Sequence, residues 1–198
     1  MRKKIIERPP SPRQRMINLM YIVLLAMLAM NISSDVLNGF TLVEESLSRS
    51  TSNATIQNEA VYKEFAASDS INHEKVGEWY NKALSVKSMS DSLYNFAGEL
   101  KELIAKEADG KKAEINNLQN KEDLEAATQV MLSPTKGRGQ DLYNAINSYR
   151  DRILEMIDNP VQRDIISNNF STDVPDKSGA LNKNWQEYNF ENMPAVAA

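Results

Sequence analysis

Three side chains near the start of the chain, Arg13, Asn18 and Tyr21, have the types and spacing that invite chemistry. Arg13 lies about one turn ahead of a run that is apolar from Ile17 to Ile32, broken only by Asn18, Tyr21 and Asn31. A guanidinium stays protonated in proteins, so Arg13 is a holder of carboxylates and not a proton carrier. Two readings of it are open. It snorkels to the aqueous face as part of a simple anchor, or it points into a protein-lined membrane interior and meets a carboxylate from a partner, because ionisable groups at membrane depth are costly and usually paired. Asn18 and Tyr21 add polar groups in the following turns, which an anchor that merely holds does not need. Asn31 and Asp35 mark the opposite rim. A membrane helix with several polar positions and no second span in its own chain asks for partner helices.

Other chemistry finds little support. The chain has one histidine and no cysteine, so a disulfide framework, thiolate metal sites and a cysteine nucleophile are excluded. A Ser-His-Asp constellation cannot be drawn from His73 alone. His73 sits in a polar run and reads as a surface or capping residue. Thr135-Lys136-Gly137-Arg138-Gly139 has the composition of a phosphate loop without its spacing or a preceding strand, and reads as a turn. Trp79, on a helix stripe, and Trp185, in a loop, read as packing residues. No cofactor is expected, and the acidic balance argues against nucleic acid.

The elements that must position Arg13 follow from hydropathy and charge. Ser11-Pro12 reads as a helix start, with serine at the N-cap and proline in the first helical position. As a helix, Ile17–Ile32 is about 24 Å long, and extension to Leu37 gives about 31 Å, enough to cross a bilayer core. Six basic residues among the first fifteen, against Glu7, give +5, so the rest of a chain of net charge −4 carries −9. Basic flanks tend to stay in the cytoplasm. The chain therefore reads as a cytoplasmic basic tail (1–15), a transmembrane helix (16–37) and a periplasmic helical-bundle domain (38–198), held in a bacterial inner membrane. A cleaved signal peptide is the competing reading, but the run is too long and no clean Ala-x-Ala follows it.

Past the span, Val36, Phe40, Val43 and Leu47 repeat at 4, 3, 4, a heptad seam that continues the membrane helix to about Ser48. It reads equally as a dimer seam or as a face packed on Val76–Ile104. The polar run Arg49–Thr55 reads as the end of this helix, with Ile56–Ala67 as a second one. From Val76 to Ile104 a sustained 3/4 alternation predicts a helix of about 35 residues, widened by Tyr80, Met89, Phe96 and Leu103 and stopped at Asp109-Gly110. Asn120–Leu132 reads as a shorter helix capped by Asn120. Gln140–Asp158 reads as another, broken at Asn159-Pro160 before a last turn and helix. Ser171–Lys183 reads as a loop. Met193–Ala198 reads as the first turn of a further helix, so the natural chain is expected to continue. The expected fold is all-α: a single N-terminal transmembrane helix continuous with a periplasmic helical bundle.

The run Ser11-Pro12-Arg13-Gln14-Arg15-Met16-Ile17-Asn18-Leu19-Met20-Tyr21, followed by Ala26-Met27-Leu28-Ala29-Met30-Asn31 and Ser33-Ser34-Asp35-Val36-Leu37, closely resembles the N-terminus of the GldM (PorM) family of gliding-motility and type IX secretion proteins. The tail from Asn184 to Ala198 is similar as well. The resemblance implies a homodimer whose membrane helices sit inside a ring of two-span GldL-like subunits, five around two. It implies a motor driven by the proton motive force, with protons as the coupling ion. Further C-terminal domains, absent from this sequence, would carry motion to outer-membrane-associated secretion components. Arg13 matches the arginine expected to pair with a membrane glutamate of the ring; Asn18 and Tyr21 match positions expected to contact partner helices. The runner-up is a membrane-anchored sensor or chemoreceptor-type ectodomain, which normally needs a second span. An enzyme has no residues to stand on.

Overall fold

A computed structural model describes residues 11–29, 33–175 and 183–198. Among these the chain is helical and without β-strands: α1 (Pro12–Ala29), α2 (Ser34–Ile71), α3 (His73–Asp109), α4 (Glu125–Leu132), α5 (Gly139–Met156), α6 (Pro160–Asn169) and α7 (Trp185–Phe190), with a single 3₁₀ turn at Ile115–Asn117. The chain divides into two compact units, Met1–Val36 and Leu37–Ala198. The expected tail Met1–Pro10, Asn31 and most of the loop before Lys183 lie outside the described residues.

In the first unit, α1 begins as its sequence dictates. Ser11 Oγ accepts from the Gln14 N–H at 3.3 Å, Ser11 O accepts from the Arg15 N–H at 2.9 Å, and Pro12 fills the first helical position. Among the described residues, no helix is long and apolar enough to cross a membrane. The reason is local. The first four of the eighteen residues of α1 are Pro12, Arg13, Gln14 and Arg15, and Met16–Ala29 is only about 21 Å long. The expected span over 16–37 runs on through 30–32, which are outside the described residues.

The expectation of one unbroken helix into Ser48 is corrected at Ser33. That residue is not helical; its hydroxyl accepts from the Asp35 N–H at 3.3 Å and its carbonyl from the Val36 N–H at 3.0 Å, so α2 has its own start. The expected break at Arg49–Thr55 is also corrected, since α2 runs through it to Ile71. A run of serine, threonine and asparagine favours breaks when its side chains compete for the backbone. Here the Thr55 hydroxyl instead donates back to Thr51 O at 2.9 Å, inside the helix.

The second unit is built on α3. Asn72 caps its start and Gly110, at φ 79°, ends it with its N–H on Lys106 O, a backbone conformation that glycine adopts without strain. The last turns of α2 return along its beginning: Tyr62 donates to Ala83 O at 3.2 Å and Phe65 meets Tyr80 edge to face at 5.8 Å. Burial pushes the Tyr62 hydroxyl above its usual pKa, partly countered by Lys87. The core sits at the other end of α3. Leu100, Ile104 and Ala105 pack with Leu118, Ala126, Ala127, Met131, Phe190 and Ala195. Two Asp109 carboxylate oxygens accept the N–H groups of Gln119 and Asn120 at 2.7 and 2.8 Å, folding the chain back toward α4. This corrects Asn120 as the cap of α4. α4 begins only at Glu125, out of reach of the Asn120 side chain, whose amide donates to Ala108 O, and Asp123 Oδ1 accepts from the Glu125 and Ala126 N–H groups instead.

The Ser133–Gly139 turn is tight: the Gly137 N–H reaches Ser133 O at 2.8 Å and the Arg138 N–H reaches Val130 O at 3.0 Å. α5 then runs antiparallel to α3, Ser90 meeting Tyr149 at 2.9 Å. Asn159 caps α6 ahead of Pro160. Trp185 is not in a loop. It opens α7, where Asn184 and Glu187 form a capping box, and its ring packs between Tyr143 and Phe190 at 5.8 and 5.9 Å. Met193–Ala198 closes one turn on Pro194 O and ties back to Asp123 O and Lys121 O through the N–H groups of Ala195 and Val196.

Candidate functional site

The residues singled out for chemistry lie on α1. Arg13 and Arg15 occupy its first turn, where the helix dipole disfavours cations and a carboxylate from elsewhere would be welcome. Among the described residues, no carboxylate lies within ion-pairing distance of Arg13, and every side chain from Ser11 to Ala26 is exposed. Asn18 is engaged: its Oδ1 accepts from Gln14 Nε2 at 3.1 Å. That leaves the Asn18 amide NH₂ as the group to offer a neighbour. Gln14, which sequence reasoning passed over, thus orients Asn18; the i, i+4 spacing of two amides was the available signal.

The three candidates do not converge on one point. At about 100° per residue, Gln14, Asn18 and Tyr21 share one stripe, while Arg13 is turned about a quarter-circle or more from it. α1 therefore presents a cation on one side and a row of neutral hydrogen-bonding groups on another.

In the second unit the expected turn at Thr135–Gly139 is a backbone turn. A side chain at Gly137 would meet Ser133 O at 2.6 Å and one at Gly139 would meet Met131 O at 2.7 Å, so both glycines serve close backbone approach. His73 opens α3 and its Nδ1 lies 2.9 Å from Asp69 Oδ1 on the exposed surface. Among the described residues no cluster of three or more histidine or acidic side chains could hold a metal. Trp79 is corrected from a packing residue to an exposed one, at 56%. The cause is the register of α5. Ser90 lies level with Tyr149, so Ala83 lies level with Met156, where α5 stops, and Trp79 is one turn beyond it. Lys82 lies over its ring, with Nζ 4.7 Å from the centroid. The bond to Glu78, with smaller help from Asp158, raises the Lys82 pKa.

The heptad positions Val36, Phe40, Val43 and Leu47 are also exposed, so the reading in which they pack on α3 is set aside.

The described residues form an all-helical domain preceded by an apolar helix with two arginines in its first turn. The model of the GldM N-terminal domain matches residues 35–198, and the chain belongs to that family. No curated protein matches it. Membership ties the chain to the gliding-motility and type IX secretion machinery. The matched range begins after α1, so Arg13, Asn18 and Tyr21 rest on the resemblance of the first stretch to the same family.

Proposed function

We propose that this chain is the inner-membrane rotor or shaft-base subunit of a motor driven by the proton motive force, powering type IX secretion and gliding. The observation that carries the reading is the GldM N-terminal domain match over residues 35–198, joined to the resemblance of Ser11–Tyr21 to the same family's N-terminus. Residues 1–15 are cytoplasmic, 16–37 span the membrane and 38–198 stand in the periplasm. Two copies pair, and a ring of GldL-like two-span subunits, five around two, encloses their membrane helices. Domains beyond this sequence reach outer-membrane-associated components. The subunit is not an enzyme and holds no cofactor; protons are the coupling ion.

The ion pair gives a mechanism. A ring glutamate facing Arg13 is held ionised by the guanidinium, as an opposite charge within a few ångströms lowers a carboxyl pKa. Protonation breaks the pair, and loss of the proton to the other side reforms one. Two arginines in a five-fold ring cannot satisfy all five sites alike, so proton uptake at unpaired sites biases the next step. Arg13 itself never titrates. Asn18 and Tyr21 contact the ring helices through neutral hydrogen bonds.

The test is Arg13→Ala in the full-length protein, with co-purification of the ring and secretion measured side by side. The expected result is an intact complex with secretion abolished. Normal secretion would reduce Arg13 to a topology signal and refute the ion-pair mechanism.

A further inference from the structure

Among the described residues, nothing covers the middle of α2. Every side chain from 45 to 61 is exposed, whereas Leu37, Thr41 and Glu44 before them, and Tyr62, Phe65 and Asp69 after them, are buried or half-buried. Those six positions share one face of the helix. Glu45, Arg49 and Glu59 fall on a second face. A third carries Val36, Phe40, Val43, Leu47, Ser50, Ala54, Gln57 and Val61, spaced 4, 3, 4, 3, 4, 3, 4, and all are exposed. An isolated helix of serine, threonine and asparagine with no covered face is marginal in water.

We propose that this third face is the seam on which α2 of a second copy of the chain packs in parallel. Phe40, Val43 and Leu47 form its apolar half, and Ser50 and Gln57 form the polar layers that set its register. The inference rests on the homodimer reading above and adds where the two copies meet. Heptad spacing is the geometry of two helices winding around each other, since only a 3.5-residue repeat keeps one stripe on the partner. In a parallel symmetric pair each seam position meets its own copy, so a seam can carry no charge that would face itself, and this one carries none from Val36 to Val61. The flanking positions hold one charge, Glu44, which a parallel pair sets across from Gly39 of the other copy, and not from a second carboxylate. The next seam position is Glu64, where self-pairing would place two carboxylates together, and there the stripe ends. Leu42 and Ile56 are exposed off the stripe and take no part.

The chain has no native cysteine, so single substitutions report unambiguously. Val43→Cys, Leu47→Cys and the outer-face control Glu45→Cys are made in the full-length protein in its membrane and oxidised mildly. The mass of the detergent-extracted protein is measured independently. The expected result is a dimeric mass with disulfide dimer at 43 and 47 at least about tenfold above that at 45. A dimeric mass with no cross-link at 43 and 47, or with equal cross-linking at 45, overturns the seam and leaves the dimer standing. A monomeric mass overturns both.

Discussion

Leu100 and Leu103 belong to the same broad stripe of α3 by sequence, yet the fold treats them differently. Leu100 is 3% exposed within the cluster of α3, α4 and α7, and Leu103 is 38% exposed on its edge. Leu100→Ala removes three buried carbons at about 0.8 kcal/mol each, and the rigid surroundings of Ala126, Ala127 and Met131 leave a cavity that brings the loss to about 3–4 kcal/mol. Leu103→Ala removes the same atoms from a site open to water, with no cavity, for a loss of about 1 kcal/mol. The difference of about 2 kcal/mol corresponds to roughly 4–8 °C in melting temperature for a domain of this size. Urea titrations followed by far-UV circular dichroism measure both variants against the parent, with equal m-values required before midpoints are compared. Equal losses at the two sites would refute the location of the core at the C-terminal end of α3.

Two glycines make an opposed pair. Gly137→Ala places a Cβ against backbone atoms at 2.6–2.9 Å and should cost more than about 1 kcal/mol, whereas Gly98→Ala, in mid-α3 with nothing within 4 Å, should gain about 0.5–1 kcal/mol; thermal melts of the two variants should move in opposite directions. At alkaline pH, the raised pKa of Tyr62 means that its contribution is intact below the unfolded-state pKa of about 10 and is lost as pH rises through the folded value. Tyr62→Phe should flatten the decline in stability above about pH 10, and an unchanged alkaline limb in a pH series of urea midpoints would show that the buried hydroxyl is not its source.

What could be read from the sequence was periodicity joined to a stop signal. α3 shows both, a sustained 3/4 alternation and Gly110, and its limits match expectation to within a few residues. α6 was legible through its start signal, Asn159-Pro160. What failed were judgements that depend on a distant residue. The cap of α4 moved from Asn120 to Asp123 because Asp109, eleven residues before Asn120, holds the Gln119 and Asn120 N–H groups in a turn, and the helix starts only at Glu125. Trp79 lies on the buried stripe by spacing, but spacing does not say that α5 stops one turn short of it. Trp185 was readable and overlooked: Asn184 followed three residues later by Glu187 is a capping-box pattern.

The polar stretch of α2 shows why local propensity and helix face must be weighed together. Arg49–Thr55 reads as a breaker residue by residue, but the 4-3 spacing runs through it without a phase change from Phe40 to Val61. The seam reading predicts that phase continuity, because a helix wound on a partner must keep one stripe inward even where the stripe turns polar. The family evidence divides in a similar way. The first stretch carries the resemblance by its motif, while the bundle from residue 35 onward, a generic helical pattern by periodicity, carries the family match. The two stretches overlap only at Asp35, Val36 and Leu37, so they point to one family almost independently. Those three residues lie in the first turn of α2, the helix that on the seam reading holds two copies of the chain together.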